Sequence, residues 1–245
     1  MTMVIAANLG DCILIAADKR GMNCDLETGK MTHETDAEQK IKLWNLGAVA
    51  GTGETVFLDR VAQYFINYRE KDGMLRQMDA IRDELTRRME EGVPPAVLQN
   101  NDIIFSVFNG EETKLYTINT HQFFHHFEQG AQNIIRVRMD EVKHHQAIFT
   151  CFNIPADLSN FVNFQKNLKS AKDFDNDQEF IIYYITRLKE VFATQSTIDP
   201  SITPTFDLYI KSCVTGESIA THVSNFALSA PISDNLNYWN KFRNL

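Results

Sequence analysis

Met3–Leu9 and Cys12–Ala17 are two short, almost wholly apolar runs parted by Gly10-Asp11. Two β-prone runs around a two-residue turn predict a hairpin. Apolar residues at odd and even positions alike predict strands covered on both faces. Gly21–Gln39 is polar, contains Gly29 and several Asp, Glu and Thr residues, and reads as a long loop or irregular excursion. Lys40–Leu43 and Gly47–Ala50 then predict a second pair of short strands, joined around Trp44-Asn45-Leu46.

The pattern next changes period. Phe57, Val61, Phe65 and Tyr68 recur at helical spacing, as do Met74, Met78, Ile81, Leu85 and Met89. Asp72-Gly73 separates these two helices, and Gly92-Val93-Pro94-Pro95 ends the second. Four strands are predicted after them, at Ile103–Phe108, Leu115–Ile118, Phe123–Phe127 and Ala147–Cys151, with Asn109-Gly110 as a hairpin turn between the first two. A second helix pair follows, marked by Leu158, Phe161, Val162 and Leu168, then by Ile181, Tyr184, Ile185, Leu188, Val191 and Phe192. Strands at Thr205–Lys211 and Ser218–Val223, around a turn at Thr215-Gly216, complete the series. Strands in three groups with helices in two pairs predict two packed sheets with helices outside. No repeat or boundary divides the 245 residues, so residues 1–245 read as one domain. The polar Gly21–Gln39 stretch then lies inside that domain, where unusual loops are often functional.

Composition narrows the function. Hydrophobic residues are 44% and charged residues 23% of the chain, and 11 glycines and 6 prolines leave little room for linkers or disorder. A net charge of -8 disfavours a dedicated nucleic-acid surface. No apolar run approaches the ~18–20 residues that cross a bilayer. The first residues lack a basic segment and lead directly into a strand pattern, against a signal peptide. Cys12, Cys24, Cys151 and Cys213 are far apart with no CxxC pair, and read as reduced thiols of a cytoplasmic protein. His121, His125-His126 and His144-His145 invite a metal reading. Adjacent histidines on a strand point to opposite faces, so neither doublet chelates as a unit, and no metal or other cofactor is expected. The phenylalanines between Phe123 and Phe164 read as core or subunit interface.

The candidate chemistry is at the start. A small residue such as Thr2 after the initiator permits removal of Met1, which leaves a hydroxyl and a free α-amine on one residue. The amine titrates near about 7.7–8.0, so it is partly neutral at working pH and able to take the hydroxyl proton. By itself Met-Thr is a weak signal. The surroundings are more specific. Ile13-Leu14-Ile15-Ala16-Ala17-Asp18-Lys19-Arg20-Gly21 ends an apolar strand in Asp-x-Arg, Lys40-Ile41 opens the next strand, and Ala48-Val49-Ala50-Gly51-Thr52-Gly53 runs into the first helix.

These segments resemble the corresponding stretches of proteasome β subunits and their bacterial relatives, which are N-terminal-nucleophile (Ntn) hydrolases. The order of helices and strands resembles that family along the whole chain, whereas the specific motifs lie in the first 53 residues. The resemblance implies an α+β fold, a four-layer αββα sandwich of two antiparallel sheets flanked by helix pairs. It implies that Thr2 attacks the scissile carbonyl, that Asp18 fixes Lys40, that the Lys40 ammonium favours the developing alkoxide, and that the Gly51 N–H stabilises the oxyanion. It gives Arg20 the role of buttressing the hairpin. Asp199 and Thr150 fall where relatives carry residues that support the α-amine. It further implies self-association into a ring or spiral around a peptide or amide substrate, and leaves an ATPase partner open.

The chain departs from the family pattern at several points. Met3 replaces a common second threonine, the loop before Lys40 is longer, and the Ser-Gly usual after Asp199 is replaced by Pro200-Ser201-Ile202. Three functions therefore stand at this point: a threonine peptidase, a catalytically silent Ntn-fold scaffold or binding protein, and a small-molecule amide hydrolase with the same nucleophile.

Overall fold

The structure, a computed structural model, describes residues 2–24, 31–69, 75–128, 137–151 and 157–225. Strands β1 (Met3–Asn8) and β2 (Cys12–Asp18) form the predicted hairpin, with Gly10 at φ 96° in its turn, a conformation that glycine adopts without strain. They belong to a five-stranded antiparallel sheet of order β10-β1-β2-β11-β12, completed by β10 (Gln146–Cys151), β11 (Phe206–Ser212) and β12 (Ser218–Val223). A second antiparallel sheet runs β5-β6-β7-β8-β9, from β5 (Lys42–Trp44), β6 (Gly47–Thr52), β7 (Asp102–Phe108), β8 (Thr113–Asn119) and β9 (Asp140–Glu141). A separate ribbon pairs β3 (Gly21–Cys24) with β4 (Met31–Thr35).

The side-chain period of two sorts the strand residues onto opposite faces. Met3, Ile5 and Ala7 of β1 pack on helices α5 (Ser159–Lys166) and α6 (Asp177–Ile198), among Phe161, Tyr184, Leu188 and Phe192. Val4 and Ala6, on the other face, meet Ala48, Ala50, Ile104 and Leu115 of the second sheet. The far face of that sheet, with Val49, Ile103 and Phe105, is covered by α1 (Thr55–Asn67) and α2 (Gln77–Glu90) through Phe57, Val61, Phe65, Ile81 and Leu85. Burial of each large apolar side chain contributes about 1.5–3 kcal/mol. The near-continuous apolar character of β1, β2 and β6 thus reflects strands covered on both sides. The fold is mixed α+β with antiparallel sheets, as expected.

Several local expectations are corrected. Phe123–Phe127 is not a strand; it lies in helix α4 (His121–Glu128). Phe123, Phe124 and Phe127 have an i, i+1, i+4 spacing that suits one helical face, and Asn119 accepts the His121 N–H at 2.8 Å to start the turn. The histidines there are therefore helical, and His144-His145 lies in the turn before β10 with His145 at φ 57°, so the strand argument applies to neither doublet. Part of the polar Gly21–Gln39 stretch is the β3–β4 ribbon. Lys40-Ile41 does not open a strand; it precedes β5 in an extended approach. The short helix α3 (Pro95–Leu98) and the two-residue β9 were not expected. Met74 and the proposed Asp72-Gly73 break lie outside the described residues, as do Met1, Gly29 and Phe152.

Candidate functional site

Thr2, Lys40 and Gly51 line one cleft. Thr2 immediately precedes β1 and is 7% exposed. Asp18 ends β2, opposite Phe206 of β11 and one residue beyond the Val4–Ala17 pair with β1, so its side chain reaches the start of β1. That placement brings it four donors. Oδ1 accepts the Met3 N–H at 2.7 Å and the Lys40 ammonium at 3.1 Å, and Oδ2 accepts the Arg20 N–H at 2.9 Å and the Thr203 N–H at 3.4 Å. Neither charged partner faces bulk water, for the side chains of Lys40 and Asp18 are 6% and 0% exposed. Lys40 Nζ also donates to the Arg20 carbonyl at 2.6 Å. Burial pulls the Lys40 amine below its ordinary value, and the Asp18 carboxylate opposes that shift through its charge and hydrogen bond.

The segment before β5 alternates between two cavities. Glu38, Lys40 and Lys42 face the Thr2 cleft, whereas Ala37, Ile41 and Leu43 face a second opening lined also by Lys19, Asp207 and His222. Gln39 reaches both. Across the Thr2 cleft stand Val49, Leu58, Val61, Ala62 and Ile103, an apolar wall, with the Lys42–Asp59 ion pair (3.3 Å) at its rim.

Gly51 lies within β6, opposite Ile103. A methyl group there would stand 2.6 Å from the Asp102 carbonyl oxygen and 2.6 Å from Leu58 Cδ2. Glycine is thus required by close approach. The turn into α1 is made by Gly53 at φ 129°, two residues later. Asn101 accepts the Glu54 N–H at 2.6 Å, and Glu54 caps α1 by accepting from Val56 and Phe57. The start of α1 is thereby tied to the residue that precedes β7, beside the cleft.

The remaining expected residues are placed as follows. The Arg20 guanidinium forks onto Asp36 at 2.6 and 2.8 Å and donates to the Pro200 carbonyl at 2.6 Å. Asp199 follows α6 and accepts the Ser201 N–H at 2.8 Å. Its charge adds to burial in pushing the Cys151 thiol up to about 11. Thr150, opposite Val4 on β10, holds a buried hydroxyl without a hydrogen bond among the described residues, and so does Ser201. Asp18, Lys40 and Arg20 are therefore in direct contact, while Asp199 and Thr150 make no hydrogen bond to them. Sequence reasoning missed the Met3, Arg20 and Thr203 N–H donors, since a backbone group carries no residue-type signal. It also missed Asp36, whose polar surroundings hid it.

Comparison with known proteins gives a structural answer only. No protein-family profile matches the chain, and no curated protein matches it in sequence. Among solved structures, the chain is similar to Anbu from Hyphomicrobium sp. strain MC1, with TM-score 0.58, 13% identity, and coverage of 99% of this chain and 95% of that one. A Gly-1 mutant of the same protein gives TM-score 0.59, 14% identity, and coverage of 100% and 96%. Anbu from Yersinia bercovieri, described as an ancestral beta-subunit, gives TM-score 0.58, 8% identity, and coverage of 98% and 94%. Likeness at these identities concerns the fold.

Proposed function

We propose that this chain is a proteasome-type Ntn hydrolase, a four-layer αββα sandwich that cleaves peptide or related amide bonds with Thr2 after Met1 is removed. The observation that carries the reading is the meeting of Thr2, a buried Asp18-bound Lys40 and Gly51 at one cleft. Full-length similarity to Anbu, including a protein described as an ancestral beta-subunit, supports the fold component.

The chemistry follows from these positions. The Thr2 hydroxyl attacks the substrate carbonyl while its own α-amine takes the proton. The Lys40 ammonium lowers the cost of the developing alkoxide, and the Gly51 N–H receives the tetrahedral oxyanion. The amine then returns its proton to the leaving nitrogen, and an ester on Thr2 remains. Water, deprotonated by the same amine, hydrolyses that ester and restores the hydroxyl. The apolar wall of Val49, Leu58, Val61 and Ala62 suits an uncharged substrate side chain. Self-association into a ring or spiral would seclude the cleft from folded proteins.

The test pairs an intact mass with a peptide epoxyketone, which reacts with a hydroxyl and an amine on one residue. The expected result is a chain lacking Met1 and labelled on Thr2, with labelling and hydrolysis lost by about 1,000-fold or more in Thr2→Ala. Processed protein that resists the reagent counts against the reading. The missing Ser-Gly after Asp199 favours a second reading, a silent scaffold of the same fold. Retention of Met1 on the purified chain would support it. Parallel peptide and small-amide libraries separate peptidase from amidase.

A further inference from the structure

Arg20 is bonded at both its ends to the elements around Thr2. Its N–H donates to Asp18 Oδ2 at 2.9 Å and its carbonyl accepts from Lys40 Nζ at 2.6 Å, so its backbone closes a ring with the buried ion pair. Its guanidinium leaves the site altogether. Nε and one terminal nitrogen fork onto Asp36, just beyond β4, and the other donates to the carbonyl of Pro200, three residues before the Thr203 N–H that also reaches Asp18. His33 Nε2 lies 3.1 Å from the same Asp36 carboxylate. We propose that Asp36 and Arg20 are positioning residues: Asp36, through the guanidinium fork, holds the Arg20 backbone against Asp18 and Lys40 and so sets where the ammonium stands beside Thr2. The inference rests on the threonine-nucleophile reading and adds to it a role for the β3–β4 ribbon and the turn that follows it.

Two features separate this role from a general contribution to stability. Asp36 is 42% exposed and Arg20 22% exposed at their side chains, and an ion pair so open to water adds little to folding. The bidentate geometry nevertheless fixes direction, which a single point contact would not. The Arg20 fork also keeps Asp36 ionised, with its carboxyl lowered to about 2. Other contacts already tie this region down, for the Glu38 N–H donates to the Lys19 carbonyl at 3.1 Å and β3 pairs with β4. A merely structural clamp would therefore be redundant.

Lys40 faces Asp18 from β2, Asp36 and Glu38 from its own approach, and Lys42 of β5 with Asp59 of α1 across the cleft. Removing the Asp36 charge takes away one anion that favours the ammonium, so the proton is lost at lower pH. The experiment follows the rate of epoxyketone labelling of full-length, processed protein across pH. Asp36→Asn is expected to slow labelling about tenfold, within the range that small misplacements of reacting groups produce. It should lower kcat for a peptide amide with KM little changed, move the alkaline limb to lower pH, and leave thermal unfolding unaltered. Asp36→Glu should restore most of the rate; in an Arg20→Gln background Asp36→Asn should slow labelling at neutral pH no further, while still moving the alkaline limb to lower pH through the lost charge. Asp79→Asn, at an exposed pair on α2, serves as the unaffected control. A labelled wild type whose rate and pH profile Asp36→Asn reproduces overturns the clamp alone. An unlabelled wild type overturns the threonine reading and the clamp with it.

Discussion

Asp18 is the residue on which the site turns. A carboxylate at 0% exposure is stable only where its lone pairs are filled, and here three backbone N–H groups and one ammonium fill them. Asp18→Asn keeps the shape but leaves the Lys40 ammonium buried without its counter-charge. Loss of one partner from a buried pair costs about 3–5 kcal/mol, which urea unfolding at pH 7 would measure. Burial already holds Lys40 below its usual 10.5, and loss of Asp18 would lower it further. Between that depressed value and 10.5 the unfolded chain binds more protons than the folded one, so stability rises with pH there. The deficit of Asp18→Asn should accordingly shrink as pH approaches 10.5. Under the proposed function, activity is expected to follow a bell with the opposite requirements. The Thr2 amine must be neutral, so labelling climbs through about 7.7–8.0. The Lys40 amine must be charged, so labelling falls again at a pH below 10.5. A profile without the alkaline fall would remove Lys40 from the chemistry.

At the scale of elements, β6 carries Gly51, the proposed oxyanion donor, up to the start of α1. Gly51 is pressed between the Asp102 carbonyl and Leu58, and a backbone atom has little room to yield. Gly51→Ala is expected to cost roughly 1–3 kcal/mol of stability by overpacking, and to reduce labelling by more than that loss explains, because β6 must move away from β7. Denaturation midpoints and labelling rates on the same samples decide this. The elements also indicate where pattern reading succeeds. Strands β1, β2 and β12 were legible as alternation-free or short β-prone runs next to glycine turns, since local sterics and turn chemistry govern them. Helix α4 was misread because three phenylalanines in five residues satisfy a strand preference as well as a helical face, and the Asn119 cap that decides between them is a single contact. The β3–β4 ribbon was hidden in a polar stretch because little apolar surface is needed to pair its backbones.

The whole molecule places the cleft where the sheets, the Lys40 approach segment and α1 meet. Segment 37–43 separates that cleft from the opening lined by Lys19, Asp207 and His222, so even and odd residues of one extended stretch serve different cavities. No helix among the described residues is long and apolar enough to cross a membrane. Large apolar side chains that remain on the surface include Leu158 at 43% and Val162 at 49%, four residues apart at the start of and within α5. Under the proposed function, light scattering on purified protein should return several times the mass of one chain. A monomer at working concentration would contradict the ring or spiral arrangement.

The amino-acid sequence by itself determined the order of most strands and helices, the apolar faces that build the two sheets, and the candidates Thr2, Asp18, Lys40 and Gly51. It could do so because periodicity, turn residues and short motifs are written locally. Only the tertiary structure decided which groups meet: that Asp18 is satisfied by the backbones of Met3, Arg20 and Thr203, that Arg20 reaches both Asp36 and Pro200, and that Gly51 is small because Asp102 lies against it. Those partners are separated by up to 185 residues, as Asp18 and Thr203 are. The contacts depend on strand order and on backbone donors that every residue but proline carries, so no local pattern encodes them.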